Sequence, residues 1–229
     1  MKCANKGRFW MVGTAAAISL SYFVTNAAVI NVTTNDNYTK IEAANPGDEV
    51  VIAPGRYSFR VYLTKQAGVT NPIVIRALDP ANPPVWDFGS TLVENAPGSY
   101  TAGDRGRGGW QFSGAKNYRI SGIVFRNCRT ASFNSSGIRY YNTTTNLYLK
   151  DCVFHQNDNG LTGGTQNSQA VVEFCEFNAN GNGSQLRLDL RARTDSTTNY
   201  LGVDGDRRNN VVELVLNYNL FNGGSDLAR

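Results

Sequence analysis

Four short segments of this chain share one apolar frame. They are Ile120-Ser-Gly-Ile-Val-Phe125, Leu149-Lys-Asp-Cys-Val-Phe154, Val172-Glu-Phe-Cys-Glu-Phe177 and Leu216-Asn-Tyr-Asn-Leu-Phe221, each with an aliphatic residue five positions before a Phe. The Phe residues are spaced by 29, 23 and 44 positions, so the last gap is close to two repeats. A unit of this length cannot bury its own apolar side chains, and stacking on its neighbours solves that problem. Short β-forming runs separated by Asn- and Gly-rich turns therefore predict an all-β solenoid with a long, regular outer wall. Alternation points Leu147, Leu149, Cys152, Phe154 and Leu161 inward and Tyr148, Lys150, Val153 and His155 outward. Asn157, Asp158, Asn159 and Gly160 read as a turn, and Asn180 matches Asn157 by repeat position, which predicts an internal asparagine ladder.

Residues 1–28 read as a secretory signal peptide. Lys2, Lys6 and Arg8 precede a short apolar stretch from Met11 to Val24, and Thr25-Asn26-Ala27 fits a small-residue cleavage site, with Ala28 an equal alternative end. The expected mature domain is 29–229, secreted into a periplasmic or extracellular space. No later run is apolar enough to span a membrane. The leader carries three of the 22 basic residues and no acids, so 19 basic residues face 18 acidic ones afterwards. A charge this close to neutral makes no electrostatic case for nucleic acid. Cys128, Cys152 and Cys175 remain, an odd number for an oxidising compartment. Cys152 and Cys175 share a repeat position and read first as stacked buried thiols, with a disulfide between coils as the rival.

Val29 to Val32 reads as a first strand, and Thr34 to Ala44 as a short amphipathic helix capped by Thr34 or Asn35, with Asp36 in its first turn, stopped by Pro46-Gly47. Such a helix covers the open N-terminal end of the stack. Val50 to Ile52, Phe59 to Leu63 and Ile73 to Ile75 read as further coils, and Glu94 to Gly109 as a loop leaving the wall. Gln185 to Arg208 is Arg-rich and lacks the aligned Phe, although Leu186, Leu188 and Leu190 still alternate. The chain ends eight residues after Phe221 with no evident cover, so the solenoid is expected to be irregular or truncated after 184.

Three features together resemble a known family. They are Gly47-Asp-Glu-Val-Val-Ile-Ala-Pro-Gly-Arg-Tyr57 after a short helix, Asn71-Pro-Ile-Val-Ile-Arg-Ala77, and the repeats ending at Phe125, Phe154 and Phe177. From Val29 to about Ser184 the chain resembles secreted right-handed parallel β-helix proteins of the pectate-lyase-like superfamily, most closely the N-terminal half of chondroitinase-B-like and alginate lyases. The resemblance implies a polysaccharide partner, often acidic. In the lyases a Lys or Arg removes the proton α to a uronate carboxylate, and calcium or basic residues offset the carboxylate charge. The chondroitinase-B-like catalytic pattern has only a partial counterpart in Asn209-Asn-Val-Val-Glu213, without a second Glu two residues on or a following Lys, so those roles are not transferred. The paired Asp and Gly-His-Gly motifs of polygalacturonases are absent.

Repeat alignment predicts three outward columns, with members about 4.8 Å apart. They are Ser121, Lys150 and Glu173; Arg126, His155 and Asn178; and Arg119, Tyr148 and Val171. Elimination needs a base, a charge neutraliser and an acid. Lys150 or His155 can serve as the base, and Arg126 or Arg119 can hold a carboxylate. Tyr148 can stack on a sugar or protonate the leaving oxygen, and Glu173 is the substrate-side neighbour of Lys150. The plainer alternative is an exposed Lys150–Glu173 ion pair of small worth and a solvated His155. Glu173 and Glu176 fall on different outer faces, a poor arrangement for a hydrolytic pair. Asn157-Asp158-Asn159 offers oxygens suited to calcium, or is a simple turn. Asn31, Asn37, Asn134, Asn142 and Asn182 stand in glycosylation frames. Three functions follow: a lyase of acidic polysaccharide, a non-catalytic carbohydrate-binding module, or an inactive fragment of a longer enzyme. The oligomeric state is left open.

Overall fold

The computed structural model describes residues 27–99, 107–132, 135–163, 168–180, 186–188 and 213–222. Every pairing between its strands is parallel, and the strands fall into three sheets visited in rotation. Sheet I holds Val29–Val32, Glu49–Ile52, Ile73–Ala77, Lys116–Ser121, Thr145–Lys150, Gln169–Glu173 and Glu213–Asn217. Sheet II holds Arg56–Tyr57, Val85–Asp87, Val124–Arg126, Val153–His155, Glu176–Asn178 and Leu220–Asn222. Sheet III holds Val61–Leu63, Gly108–Ser113, Ser136–Tyr141, Asn159–Gly163 and Leu186–Leu188. Each turn of the chain runs sheet I, sheet II, sheet III and back to sheet I one step along. That path is a parallel β-helix, right-handed as crossovers between parallel strands are.

The repeated frame has a direct geometric cause. Its aliphatic residue lies on the inner face of sheet I, where Ile120, Leu149, Val172 and Leu216 are in register. A two-residue corner follows. Its first member is left-handed, at Gly122 (φ 71°), Asp151 (51°), Phe174 (53°) and Tyr218 (55°). This conformation turns the chain sharply and swings the next side chain inward, so Ile123, Cys152 and Cys175 are buried. The Phe then fills the inner face of sheet II. Phe125, Phe154, Phe177 and Phe221 stack with centroids 5.4, 4.7 and 5.0 Å apart and rings within 14° of parallel. Trp86 and Tyr57 extend the same column toward the N-terminus.

The corner after sheet II repeats the device with Asn127, Gln156 and Ala179 left-handed. Cys128, Asn157 and Asn180 then point inward. Here the predicted ladder is present. The Asn157 side-chain oxygen accepts from the Cys128 amide at 3.0 Å, and Asn180 does the same for the Asn157 amide at 3.0 Å. The Asn157 and Asn180 side-chain nitrogens donate to the Phe125 and Phe154 carbonyls, both at 3.0 Å. Backbone groups that a corner takes out of the sheets are thus satisfied inside the helix. Cys152 and Cys175 stack as free thiols, with the Cys152 amide donating to the Cys175 sulfur at 3.4 Å. Cys128 is also free, and burial pushes its thiol well above its ordinary value, which keeps it protonated and inert.

Three expectations need correction. Phe221 lies one coil beyond Phe177, not two, because Glu176 pairs directly with Leu220 and Phe177 with Phe221. The long gap is a single coil, and its Leu186–Leu188 strand pairs with Leu161–Gly163 in sheet III. The rest of Gln185 to Arg208, like residues 1–26, lies outside the described residues. The helix is shorter than its apolar spacing predicts, Tyr38–Glu42, and Asn37 is its cap, accepting from the Thr39 amide at 3.0 Å. Thr34 and Asn35 are excluded because Asp36 closes a turn before the helix, accepting from the Thr33 amide at 2.8 Å and donating its own amide to the Thr33 carbonyl at 3.0 Å. Lastly, Asn159 and Gly160 open a sheet III strand instead of completing a turn.

The ladder carries a testable load. Asn157→Ala leaves the Cys128 amide and the Phe125 carbonyl buried without these partners, so stability should fall by about 2–4 kcal/mol. Urea unfolding followed by circular dichroism checks this as a lower midpoint at unchanged slope.

Candidate functional site

All three predicted outward columns are in register. Ser121, Lys150 and Glu173 are successive partners in sheet I, as are Arg119, Tyr148 and Val171. Arg126, His155 and Asn178 are successive partners in sheet II. Asn217 extends the first column past Glu173, and Asp87 precedes Arg126 in the last. The corner Asp151-Cys152 separates Lys150 from His155. Lys150, Tyr148, Arg119 and Glu173 therefore share the outer face of sheet I, and Arg126 and His155 share that of sheet II. Glu173 and Glu176 are likewise divided between the two sheets, as expected.

Within sheet I, Tyr148 is the partner of Glu173. Its hydroxyl donates to one carboxylate oxygen, and the Asn217 side-chain nitrogen donates to the other at 2.8 Å. The phenol spans one column diagonally, a reach that places it on the carboxylate. Hydrogen bonds from Tyr148 and then Asn217 hold Glu173 below the ordinary carboxylate range. The same bond, with burial and the Glu173 charge, pushes Tyr148 up to about 12. Tyr148 is therefore a protonated donor throughout the neutral range. The Lys150 ammonium lies 3.9 Å from Asp151 and 5.7 Å from the centre of the Phe174 ring, so its carboxylate partner is Asp151 and not Glu173.

Arg126 is held by a buried acid. Its Nε lies 2.6 Å from Asp87, which also meets Arg56 at 3.2 Å and accepts from Asn127 and the Gly89 amide, each at 2.8 Å. Burial acts to raise the Asp87 pKa, but these donors outweigh it and hold the group below its ordinary value. At 3% exposure Asp87 needs those partners, and Arg126, itself 42% exposed, is one of them.

The oxygen-rich run Asn157-Asp158-Asn159 does not fit a calcium site. All three residues are buried, and one Asp158 oxygen accepts from the Thr130 amide at 2.8 Å, the Ser135 amide at 3.1 Å and the Ser135 hydroxyl at 3.0 Å. Those donors tie adjacent coils together and occupy one oxygen of the carboxylate. Among the described residues, no three His, Cys, Asp or Glu side chains cluster to hold a metal ion.

Two features were not found from sequence. Phe174 and Tyr218 occupy left-handed corner positions, yet their rings are 50% and 81% exposed and stack at 5.1 Å. The repeat frame held the signal, since the aligned positions upstream are Gly122 and Asp151. The second feature is the outer face of sheet III, where Tyr62, Gln111, Arg139 and Thr162 form a column. Gln111 is buried and its side-chain nitrogen has no hydrogen-bond partner, and the Arg139 guanidinium lies 5.1 Å from the centre of the Tyr141 ring.

No protein-family signature and no curated protein sequence matches the chain. Solved structures with a similar course include the pectate lyase Pel9A, at 16% identity and TM-score 0.47, matched over 70% of this chain and 46% of that one. An alginate lyase from Paenibacillus sp. str. FPU-7 matches at 12% identity and TM-score 0.42, over 85% of this chain and 76% of that one. A pectin methylesterase in complex with a hexasaccharide matches at 12% identity and TM-score 0.44, over 88% and 70%. The chain thus spans less than half of Pel9A. The parallel β-helix rests on the chain's own strand pairing.

The Tyr148–Glu173 bond predicts coupled titrations. Glu173 is depressed in the fold, so the stability it contributes is present above the unfolded carboxyl value and is lost as the pH falls through the lowered one. Tyr148→Phe should raise the Glu173 titration toward the ordinary range, read by carboxyl NMR. Glu173→Ala should bring the Tyr148 ionisation down from about 12 toward the usual phenol value, read in a tyrosine-labelled sample.

Proposed function

We propose that this chain, exported after loss of its first 28 residues, engages an acidic polysaccharide on the outer face of sheet I and cleaves it by β-elimination. One observation carries the reading. Lys150, Tyr148 and Arg119 stand in adjacent outward columns, and Tyr148 keeps its proton through its bond to Glu173. A wall of evenly spaced coils suits a polymer of evenly spaced sugars. On it, Lys150 in its neutral form takes the proton α to a uronate carboxylate. Arg119 pairs with that carboxylate and offsets the charge that builds as the carbon–hydrogen bond breaks. The double bond forms as the glycosidic carbon–oxygen bond breaks, and Tyr148, its hydroxyl turned from Glu173 to the substrate, supplies the proton to the departing oxygen. His155, around the corner on sheet II, is the alternative base.

A second reading places the sugar on sheet III, favoured by the unpartnered Gln111 nitrogen and by Arg139 beside Tyr141. One set of assays separates them. The protein is incubated with polygalacturonate and with alginate, and unsaturated uronate is followed by ultraviolet absorbance. Lys150→Ala should reduce turnover at least about 100-fold with the fold intact, and Arg139→Ala should leave it near wild type. The reverse pattern moves the site to sheet III. Polymer binding without product in the wild type leaves a binding module, and neither binding nor product overturns the proposal.

A further inference from the structure

The corner between sheets I and II carries one residue per coil, and its column reads Gly122, Asp151, Phe174, Tyr218. The last two are out of place on physical grounds. A left-handed backbone suits Gly, Asn or Asp and disfavours bulky side chains, yet two aromatic residues stand here at φ 53° and 55°. Nor is burial a reward for the strain, because Phe174 is 50% exposed and Tyr218 81%. The rings lie 5.1 Å apart and 8° from parallel, one coil step between them, and Lys150 faces Phe174 from the preceding coil with its ammonium 5.7 Å from the ring centre. Strained backbone that displays an apolar, flat surface to solvent beside a cation is better explained by a ligand than by the fold.

We infer that the Phe174–Tyr218 stack is a seat for a pyranose ring of the acidic polysaccharide, beside the Lys150 position and not at it. This inference rests on the polysaccharide reading above. A pyranose ring presents a flat face of C–H groups that packs on the negative face of an aromatic ring. Phe174 covers one face of Tyr218, and among the described residues no ring stacks on the other, which is the face for the sugar. Tyr218 lies two coil steps from Lys150, roughly 10 Å along the wall, so a ring seated there belongs to a neighbouring sugar of the polymer, whose carboxylates Lys150 and Arg119 attract. Glu173 keeps its negative charge under the bonds from Tyr148 and Asn217, and Asp151 pairs with Lys150, so the attraction of a sugar carboxylate falls chiefly to Arg119.

Tyr218, two coil steps from Lys150, contributes to binding and not to turnover, so its removal should raise KM and spare kcat, whereas Phe174 also faces Lys150 and its removal is read by binding alone. The test uses Phe174→Asn, Tyr218→Asn and Tyr218→Phe in gels containing polygalacturonate or alginate, with melting temperatures measured alongside. The two Asn variants should bind roughly tenfold more weakly and melt at the same or a higher temperature, because Asn tolerates the left-handed backbone. Tyr218→Phe keeps the ring and should keep the affinity. Unchanged retardation of both Asn variants overturns the seat while leaving the polysaccharide reading standing, as does a lower melting temperature with unchanged affinity, which would make the stack structural. Loss of self-association in Tyr218→Asn with polymer binding unaffected would assign the surface to a second copy of the chain and also overturn it. A wild-type protein that neither polymer retards removes both readings together.

Discussion

From Gly122 onward each corner between sheets I and II turns on a single left-handed residue, and the rest of the structure depends on that economy. A two-residue corner between sheets I and II fixes where the next side chain points, so Ile123, Cys152 and Cys175 face the core at the same height in successive coils. The Phe that follows falls on the Phe before it, and the asparagines past the next corner bond from coil to coil. Identical corners keep strands in register. Register in turn lets each coil bury the apolar face of its neighbour, which no coil can do alone.

The same register organises the outside. Once the inner residues stack, the outer ones have no freedom in height, and neighbours in a column or along a diagonal must reach an accommodation. Tyr148 meets Glu173 because a phenol spans the diagonal, which leaves Lys150 to Asp151 and the Phe174 ring. On sheet II, burial of Asp87 decides the matter for Arg126, since an acid at 3% exposure requires cations and amide donors around it. Charge that the sequence displays evenly is thus divided by the fold into engaged and available groups. On sheet I the Tyr148 proton is engaged by Glu173, and Lys150 lies between Asp151 and the Phe174 ring.

Much of this was legible because a solenoid writes its fold in local spacing. The inward set, the three outward columns and the Asn157–Asn180 ladder all follow from aligning four short segments, and none needs knowledge of distant contacts. What escaped depended on chain length between the segments or on competition among polar groups. The interval from Phe177 to Phe221 has the length of two repeats, but the direct pairing of Phe177 with Phe221 makes it one coil, and spacing alone does not distinguish these. The helix start moved to Asn37 because Asp36 bonded backward to Thr33, a local contest between two capping schemes. Asp158 looked like a metal ligand until its donors, Thr130 and Ser135, arrived from the adjoining coil. The Phe174–Tyr218 pair was visible as letters but not as strain, since the left-handed corner had not been located.

In-register stacking places Lys150, Tyr148 and Arg119 on one wall, the face proposed for an acidic sugar chain. A crystal structure of the protein soaked with trigalacturonate tests this most directly. The account predicts a sugar carboxylate within hydrogen-bond reach of Arg119 or Lys150, with the oligosaccharide lying along the outer face of sheet I. An oligosaccharide seated instead against Gln111 and Arg139 on sheet III, with the sheet I face bare, would contradict it.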